Sequence, residues 1–207
     1  MTSSLVGALR GEVIVATSNP GKLREIRAIL GDLPLAFRGL DAFPRVEFPE
    51  EGDDYEANAA AKAEAVVRAT GRAALADDSG LEVDGLDGAP GPRSARFGGP
   101  ELDDRERAAA LLDALKGCTG ESRNARFVCV AALATRDGEV VTARGECPGR
   151  ILEAPRGGGG FGYDPIFEVA PGTAMAELPP ERKNEISHRA RALQALRSAL
   201  EAIARDP

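Results

Sequence analysis

The chain has 207 residues, a formal net charge of −7 and an apolar fraction of 43%. That length suits one domain or two closely joined lobes, with enough apolar material for a packed core. The acidic balance argues against a nucleic-acid polymer as the main partner, and no window approaches the roughly 20 apolar residues that a membrane span needs.

The opening MTSSLVGALRGEVIV has no charged segment ahead of an apolar run, so no secretory leader is expected. Residues 1–11 are expected to be a loose extension of a single domain spanning 1–207. Then EVIVAT (12–17) is a short β-branched run that predicts a buried strand. SNPGK breaks it, and Leu23, Ile26 and Leu30 share one face of a following helix. PLAFRGL is a weak second strand. Residues 53–70 are alanine-rich and helix-favouring, and Gly71 stops them. AALA leads into an acidic turn, DDSG, after which LEVDGL is another strand. GAPGPRSARFGGP is a loop.

A helix is expected over 103–116. ARFVCVAALAT reads as a long strand, and Asp137-Gly138 marks the hairpin to a return strand, VVTARGEC. DPIFEV is a short strand. Ser187 is an N-cap for a last helix whose Leu193, Leu196, Leu200 and Ile203 form one packing face. Strands intermixed with helices, one hairpin among them, argue for α/β with a mixed sheet. Cys118, Cys129 and Cys147 are odd in number and lack a C-x-x-C. They read as small apolar residues in a reducing cytoplasm, not as a disulfide framework or zinc site.

Four polar constellations lie at element ends. Thr17, Asn19, Lys22 and Glu25 sit where a strand turns into a helix, and helix N-terminal N–H groups suit an anion. A capped helix start with a solvated lysine explains the same residues. Glu47, Glu50, Glu51, Asp53, Asp54 and Glu56 crowd into ten residues. They form either a solvated acidic loop or a set of hard oxygen ligands for Mg²⁺. Asp77 and Asp78 could hold a metal and position a water, or simply make an Asx-turn. Finally, GGGGFGYDPIF places Phe161 and Tyr163 against a glycine run, with Lys183, His188 and Arg189 downstream. Cations in the first turn of a helix oppose its macrodipole, which suggests ligand contact as much as solvation.

The stretches ATSNPGKLREI, PEEGDDYEANAAAKA, ALADDSGLEVDGLDGAPGPRSARF, GGFGYDPIF and ISHRARAL, in that order, closely resemble the inosine/xanthosine triphosphate pyrophosphatase family. The resemblance runs from about Val13 to Ala199. It implies an elongated mixed sheet flanked by helices, two lobes with a central cleft, and a homodimer. It also implies Mg²⁺-dependent release of pyrophosphate from a non-standard purine triphosphate (ITP, dITP or XTP), leaving the monophosphate. Carried over by position, Thr17, Ser18, Asn19 and Lys22 correspond to triphosphate contacts. Ser79 and Lys62 lie on the phosphate side. Glu50 and Asp78 correspond to metal ligands, Asp78 also to the proton acceptor. Phe161, Gly162, Tyr163 and Asp164 line the nucleoside pocket, and Lys183, His188 and Arg189 approach the base. Two positions depart from the family pattern, Ser18 and Ala190, each where the family often has glycine.

The glycines permit a backbone wrap close to a ligand, and the scarce aromatics give a base an apolar face. The competing reading is a non-catalytic purine nucleotide sensor using the same pocket. Retention of the acids that hydrolysis needs favours the enzyme, and turnover of ITP with Mg²⁺ separates the two.

Overall fold

A computed structural model describes residues 11–43 and 45–205 of the chain. The β-branched run forms β1 (Glu12–Val15), with Val13, Ile14 and Val15 fully buried. Parallel neighbours on both edges account for the unbroken apolar pattern: β2 (Ala36–Arg38) and β3 (Ala74–Val83). Asn19 starts α1 (Pro20–Ile29), accepting the Gly21 and Lys22 N–H groups at 2.8 and 3.2 Å. Asp54 caps α2 (Tyr55–Thr70) in the same way, and Gly71 ends it in the left-handed conformation.

After β4 (Pro90–Gly91), a reciprocal Asp103–Glu106 capping box opens α3 (Asp104–Ala114). β5 (Asn124–Ala134) and β6 (Val140–Ile151) form the expected hairpin, with Gly138 at φ 86° in its turn. β7 (Phe167–Ala170) and β8 (Thr173–Ala174) follow, then α4 (Pro180–Ile186), α5 (His188–Ala195) and α6 (Arg197–Arg205). The sheet order is β2-β1-β3-β5-β6-β7-β8, with β4 on β3. Pairing is parallel across β2-β1-β3 and antiparallel elsewhere. The expected α/β class with a mixed, helix-flanked sheet is therefore what the chain forms.

Three local expectations need correction. DDSG is not a turn: it lies inside the continuous strand β3, paired with β5 from Ala74 to Val83. The last helix is two helices, because α5 ends at Ala195 with Leu196 as its C-cap and α6 restarts at Arg197, although Leu193, Leu196 and Leu200 are all buried as expected. Lys183 sits on the short helix α4, which the sequence reading did not separate; Ser187 ends α4 and caps α5. Of the expected extension, residues 1–10 lie outside the described residues. Gly11 joins the sheet, its carbonyl accepting Ala36 N–H at 2.9 Å.

Side chains alternate along β3. On one face Leu75 belongs to the core under α1, α5 and α6, whereas Leu81 and Val83 belong to a second core with α3, Phe127 and Phe167. Asp77 and Ser79 lie between them, a polar break that divides this face of the sheet. The other face packs Ala74 and Ala76 under α2 in a third core. Cys129 and Cys147 are buried, Cys118 half-buried, and all three are free. No described helix is long and apolar enough to cross a membrane.

Candidate active site

The polar break coincides with a gap in the sheet. β1 pairs with β3 only at Ala74 and Leu75, and β4 takes up the same edge at Leu81 and Glu82. From Ala76 to Gly80 that edge of β3 has no strand beside it among the described residues. Leu75 O accepts from Ala16 N at 2.8 Å and Leu81 N donates to Ser94 Oγ at 2.8 Å, both on the gap side. By the same parity the backbone polar groups of Asp77 and Ser79 face the gap. A cleft of about 210 Å³ opens there, lined by residues of α1, α2, β3, α3, the glycine loop, α4 and α5. That volume is below the roughly 300 Å³ at which small-molecule sites usually begin.

On the α1/α5 face, Asp77 is buried and gathers its partners on one oxygen. Oδ2 is 2.9 Å from Lys22 Nζ and 3.1 Å from Arg189 Nη2, and accepts from Ser79 Oγ at 2.8 Å. Oδ1 is buried with no hydrogen-bond partner among the described residues. Burial opposes ionisation of Asp77, but Lys22 and Arg189 overcome it and hold the carboxyl far below its ordinary range. Arg189 also bonds Glu25 through Nη1 and Ser79 Oγ through Nη2 at 3.0 Å. Glu25 in turn is 2.8 Å from Lys183 Nζ, and Lys183 bonds Asp164 as well.

On the α2 face, both oxygens of Asp78 are held. Lys62 Nζ donates to Oδ1 at 2.8 Å and Asn58 Nδ2 to Oδ2 at 3.0 Å. Lys62 is shared with Glu51 at 2.9 Å. Burial works against the Lys62 ammonium, yet Asp78 raises its pKa above the usual lysine value. Asn58 also exchanges two hydrogen bonds with the Gly52 backbone, tying the acidic loop to α2. Two ion-pair networks result: Lys22, Lys183 and Arg189 with Glu25, Asp77 and Asp164 on one face, and Lys62 with Glu51 and Asp78 on the other. Exposed Arg96, 3.6 Å from Glu51, adds one cation at the rim of the second. Neither network carries a surplus of positive charge.

The glycine loop closes one end. Gly160, at φ 73°, lies against the Asp164 carboxylate so closely that an added Cβ would stand 1.9 Å from Oδ2. The close approach expected of the glycines is thus made to a carboxylate of the chain itself. Asp164 Oδ2 accepts Phe161 N–H at 2.9 Å. The Phe161 ring packs against Gly21 at the start of α1, with Lys183 Nζ 4.6 Å from its centroid. Tyr163 is buried and donates its hydroxyl to Ser94 O at 2.9 Å. His188 is also buried. Its ring stacks on Phe127 at 4.8 Å, and its Nδ1 has no partner among the described residues. Burial, reinforced by Arg189 and Lys183, pushes the His188 pKa well down, so the ring is neutral. The expected cationic pair in the first turn of α5 is therefore one cation and one neutral imidazole.

The cleft brings together Asn19, Lys22, Lys62, Asp78, Ser79, Phe161, Gly162, Tyr163, Asp164, Lys183, His188 and Arg189. Thr17, Ser18 and Glu50 are not on its lining. Thr17 accepts Asn19 N–H at 3.1 Å, steadying the turn into α1. The Gly21 and Lys22 N–H groups, expected to be open to an anion, are satisfied by the Asn19 side chain. Glu50 is exposed, while its neighbour Glu51 faces Lys62. Sequence reading passed over Asn58 and Phe127, and named Glu51 only within the acidic run. Asn58 carried a usable signal: it stands one turn before Lys62, the two forming an i, i+4 polar pair on an otherwise alanine-rich face.

The family model described as the Ham1 family matches residues 13–199. A Geobacter sulfurreducens protein named dITP/XTP pyrophosphatase is 50% identical over 192 residues, covering 91% of this chain and 96% of that protein. One of the same name from Deinococcus deserti is 52% identical over 196 residues, 94% of this chain and 91% of the other. Among solved structures, a HAM1 protein from Coxiella burnetii superposes with a TM-score of 0.81 at 39% identity, covering 92% of this chain and 98% of that one. The Staphylococcus aureus Ham1 protein does so with a TM-score of 0.81 at 38% identity and the same coverage. With its fold and nearly its whole length matched, the chain belongs to the Ham1 family.

Proposed function

We propose that the protein is a nucleoside triphosphate pyrophosphatase, hydrolysing ITP, dITP and XTP to the monophosphate and pyrophosphate. The names of its relatives support this reading. One observation carries it: Asp78 is held at both oxygens by Lys62 and Asn58 on the unpaired edge of β3, with Lys22 lining the same cleft. A carboxylate fixed in this way beside an open strand edge can accept a proton from a water placed in the gap.

Carboxylates suit a divalent metal here: Asp78 on one face of β3, with Glu51 beyond Lys62, and on the other face Asp77, whose Oδ1 is a buried oxygen lacking a partner among the described residues. Lys62 and Asn58 hold the two Asp78 oxygens, so an ion would share or displace one of these contacts. Among the described residues no group of three His, Cys, Asp or Glu side chains converges to hold an ion alone. Mg²⁺ bound through one or two carboxylates plus substrate phosphates needs none. We assign Asp78 and Glu50 as its holders; Glu50 is exposed, whereas Glu51 is committed to Lys62. Bound there, Mg²⁺ would offset phosphate charge and sharpen the nucleophilicity of a water.

The chain's own residues do the rest. Thr17, Ser18, Asn19 and Lys22 receive the triphosphate, with Lys62 and Ser79 on the phosphate side. Lys22 exchanges Asp77 for phosphate oxygen. Because neither network has a surplus cation, the added phosphate charge calls for the metal. Asp78 takes the proton of the attacking water. The loop Phe161–Asp164 forms the nucleoside pocket, and Lys183, His188 and Arg189 meet the base. The narrow cleft must widen to admit a nucleotide, by parting the Phe161–Gly21 contact. The same proposal takes residues 1–207 as one catalytic domain in the cytoplasm, paired as a homodimer, which light scattering tests. Hydrolysis of ITP in ¹⁸O-water should give labelled IMP and unlabelled pyrophosphate, only with Mg²⁺. IDP with orthophosphate would overturn the bond assignment, and ITP binding without turnover would make the protein a sensor.

A further inference from the structure

The aromatic loop is fastened by two carboxylates of unlike character. Asp164, buried and paired with Lys183, accepts Phe161 N–H at 2.9 Å. One residue on, Gly162 N–H donates to Asp104 Oδ2 at 2.7 Å. Asp104 is exposed, stands in the first turn of α3, and is separated from Gly162 by 58 positions in the chain. Gly162 has φ 60°, a conformation that suits glycine and shapes the loop where it meets α3.

We propose that Asp104 is a positioning residue for the nucleotide: it latches the Phe161 loop to α3 and so sets where the Phe161 ring stands in the cleft. This rests on the reading of that loop as the nucleoside pocket. Asp104, Phe161 and Gly162 all line the cleft, and the two amide bonds flank the Phe161 residue. The two fastenings differ in permanence. Asp164 is a buried ion-pair partner, so water does not compete for its oxygen. Asp104 faces solvent, so water competes for its oxygen and the bond can break and reform as the cleft opens. A dull alternative exists for Asp104. Negative charge in the first turn of a helix is favourable in itself, and the residue could serve α3 alone.

Asp104→Ala and Asp104→Asn in the full chain separate these roles. Asparagine loses the charge but keeps a carbonyl oxygen that can accept Gly162 N–H; alanine keeps neither. Two readouts are needed: amide hydrogen exchange of a peptide spanning residues 157–167, and steady-state ITP kinetics. With Asp104→Ala we expect faster exchange in that peptide and a KM raised about 3- to 10-fold, with kcat within about twofold of wild type, as loss of one hydrogen bond implies. Asp104→Asn should restore both. Unchanged loop exchange in Asp104→Ala, or an asparagine variant as impaired as the alanine one, would overturn the latch and leave a helix-start charge. Faster exchange with unchanged KM would overturn the positioning of substrate. If the wild-type protein failed to turn over ITP, the exchange data would still judge the latch, while the reading of the pocket would fall separately.

Discussion

Asp77 and Asp78 are consecutive residues whose carboxylates lie on opposite faces of β3. Asp77 meets Lys22 from α1 and Arg189 from α5, whereas Asp78 meets Asn58 and Lys62 from α2. The alternation of a strand divides the pair into two jobs. Asp78→Asn removes the proposed proton acceptor and metal ligand while keeping its shape. It should lower kcat by roughly 10²-fold or more, and Tm as well, since buried Lys62 keeps only Glu51 as its counter-ion. Asp77→Asn should instead show chiefly as a lower Tm, since Lys22 and Arg189 lose their shared counter-ion. A near-normal kcat in Asp78→Asn, with Asp77→Asn inactive, would reverse the assignment.

The same stretch shows where sequence reading ends. Asp, Ser and Gly are turn formers, so DDSG reads as a turn by local chemistry. It is a strand because cations from distant elements neutralise each aspartate and because Gly80 fits under a crossing chain. A Cβ on Gly80 would stand 2.0 Å from Gly91 O and 2.6 Å from Tyr55 Oη. These are tertiary facts that no window of residues carries. By contrast, β1, α1, α2 and the β5–β6 hairpin were legible, since apolar period, caps and Asp-Gly signal all agreed. The cleft residues were legible as motifs, but their pairing into interlocked ion pairs was not, because Lys22 and Arg189 are joined only through Asp77.

The acidic loop offers a test of register. Glu50 is exposed, while Glu51 bonds Lys62 and lies 3.6 Å from Arg96. Glu50→Gln should raise the half-saturating Mg²⁺ concentration for ITP turnover. Glu51→Gln should loosen Lys62 and shift that titration less. The opposite ranking would move the metal ligand to Glu51.

His188 is the only histidine in the chain, which makes its effect on stability readable. Its folded pKa is pushed well down by burial first, then by Arg189 and Lys183. The unfolded chain takes up a proton with a pKa near 6.5, while the folded chain stays neutral below that. More protons are then bound by the unfolded state, so stability is lost as pH falls through the unfolded value. Between pH 7.5 and 5.5 this group therefore lowers stability. Thermal melts at pH 7.5 and 5.5 should show it, and His188→Gln should start lower yet fall less between the two. An equal fall in both proteins would place the pH dependence elsewhere.

Arg189 joins fold to specificity. Its side chain is 2% exposed. Nε and Nη2 bond Asp77, Nη2 also bonds Ser79, and Nη1 bonds Glu25. Four of its five N–H groups are thus engaged, leaving one on Nη1. Removing the guanidinium leaves Asp77 short of a cation and strips Glu25 of one of its two partners. Breaking such a buried pair typically costs about 3–5 kcal/mol, so Arg189→Ala should lower Tm by on the order of 10 °C. Arg189→Lys keeps the charge without the planar fork and should lose less. The remaining N–H can donate to the 6-keto oxygen of inosine or xanthosine but meets the amino group of adenine donor to donor. That mismatch is worth on the order of 1–3 kcal/mol, about 5- to 150-fold. Arg189→Ala should therefore shrink the ITP-to-ATP ratio of kcat/KM as well as destabilise the fold. Measured at a temperature where the variant is fully folded, a ratio equal to wild type with a lowered Tm would confine Arg189 to holding Asp77 and Glu25 in place.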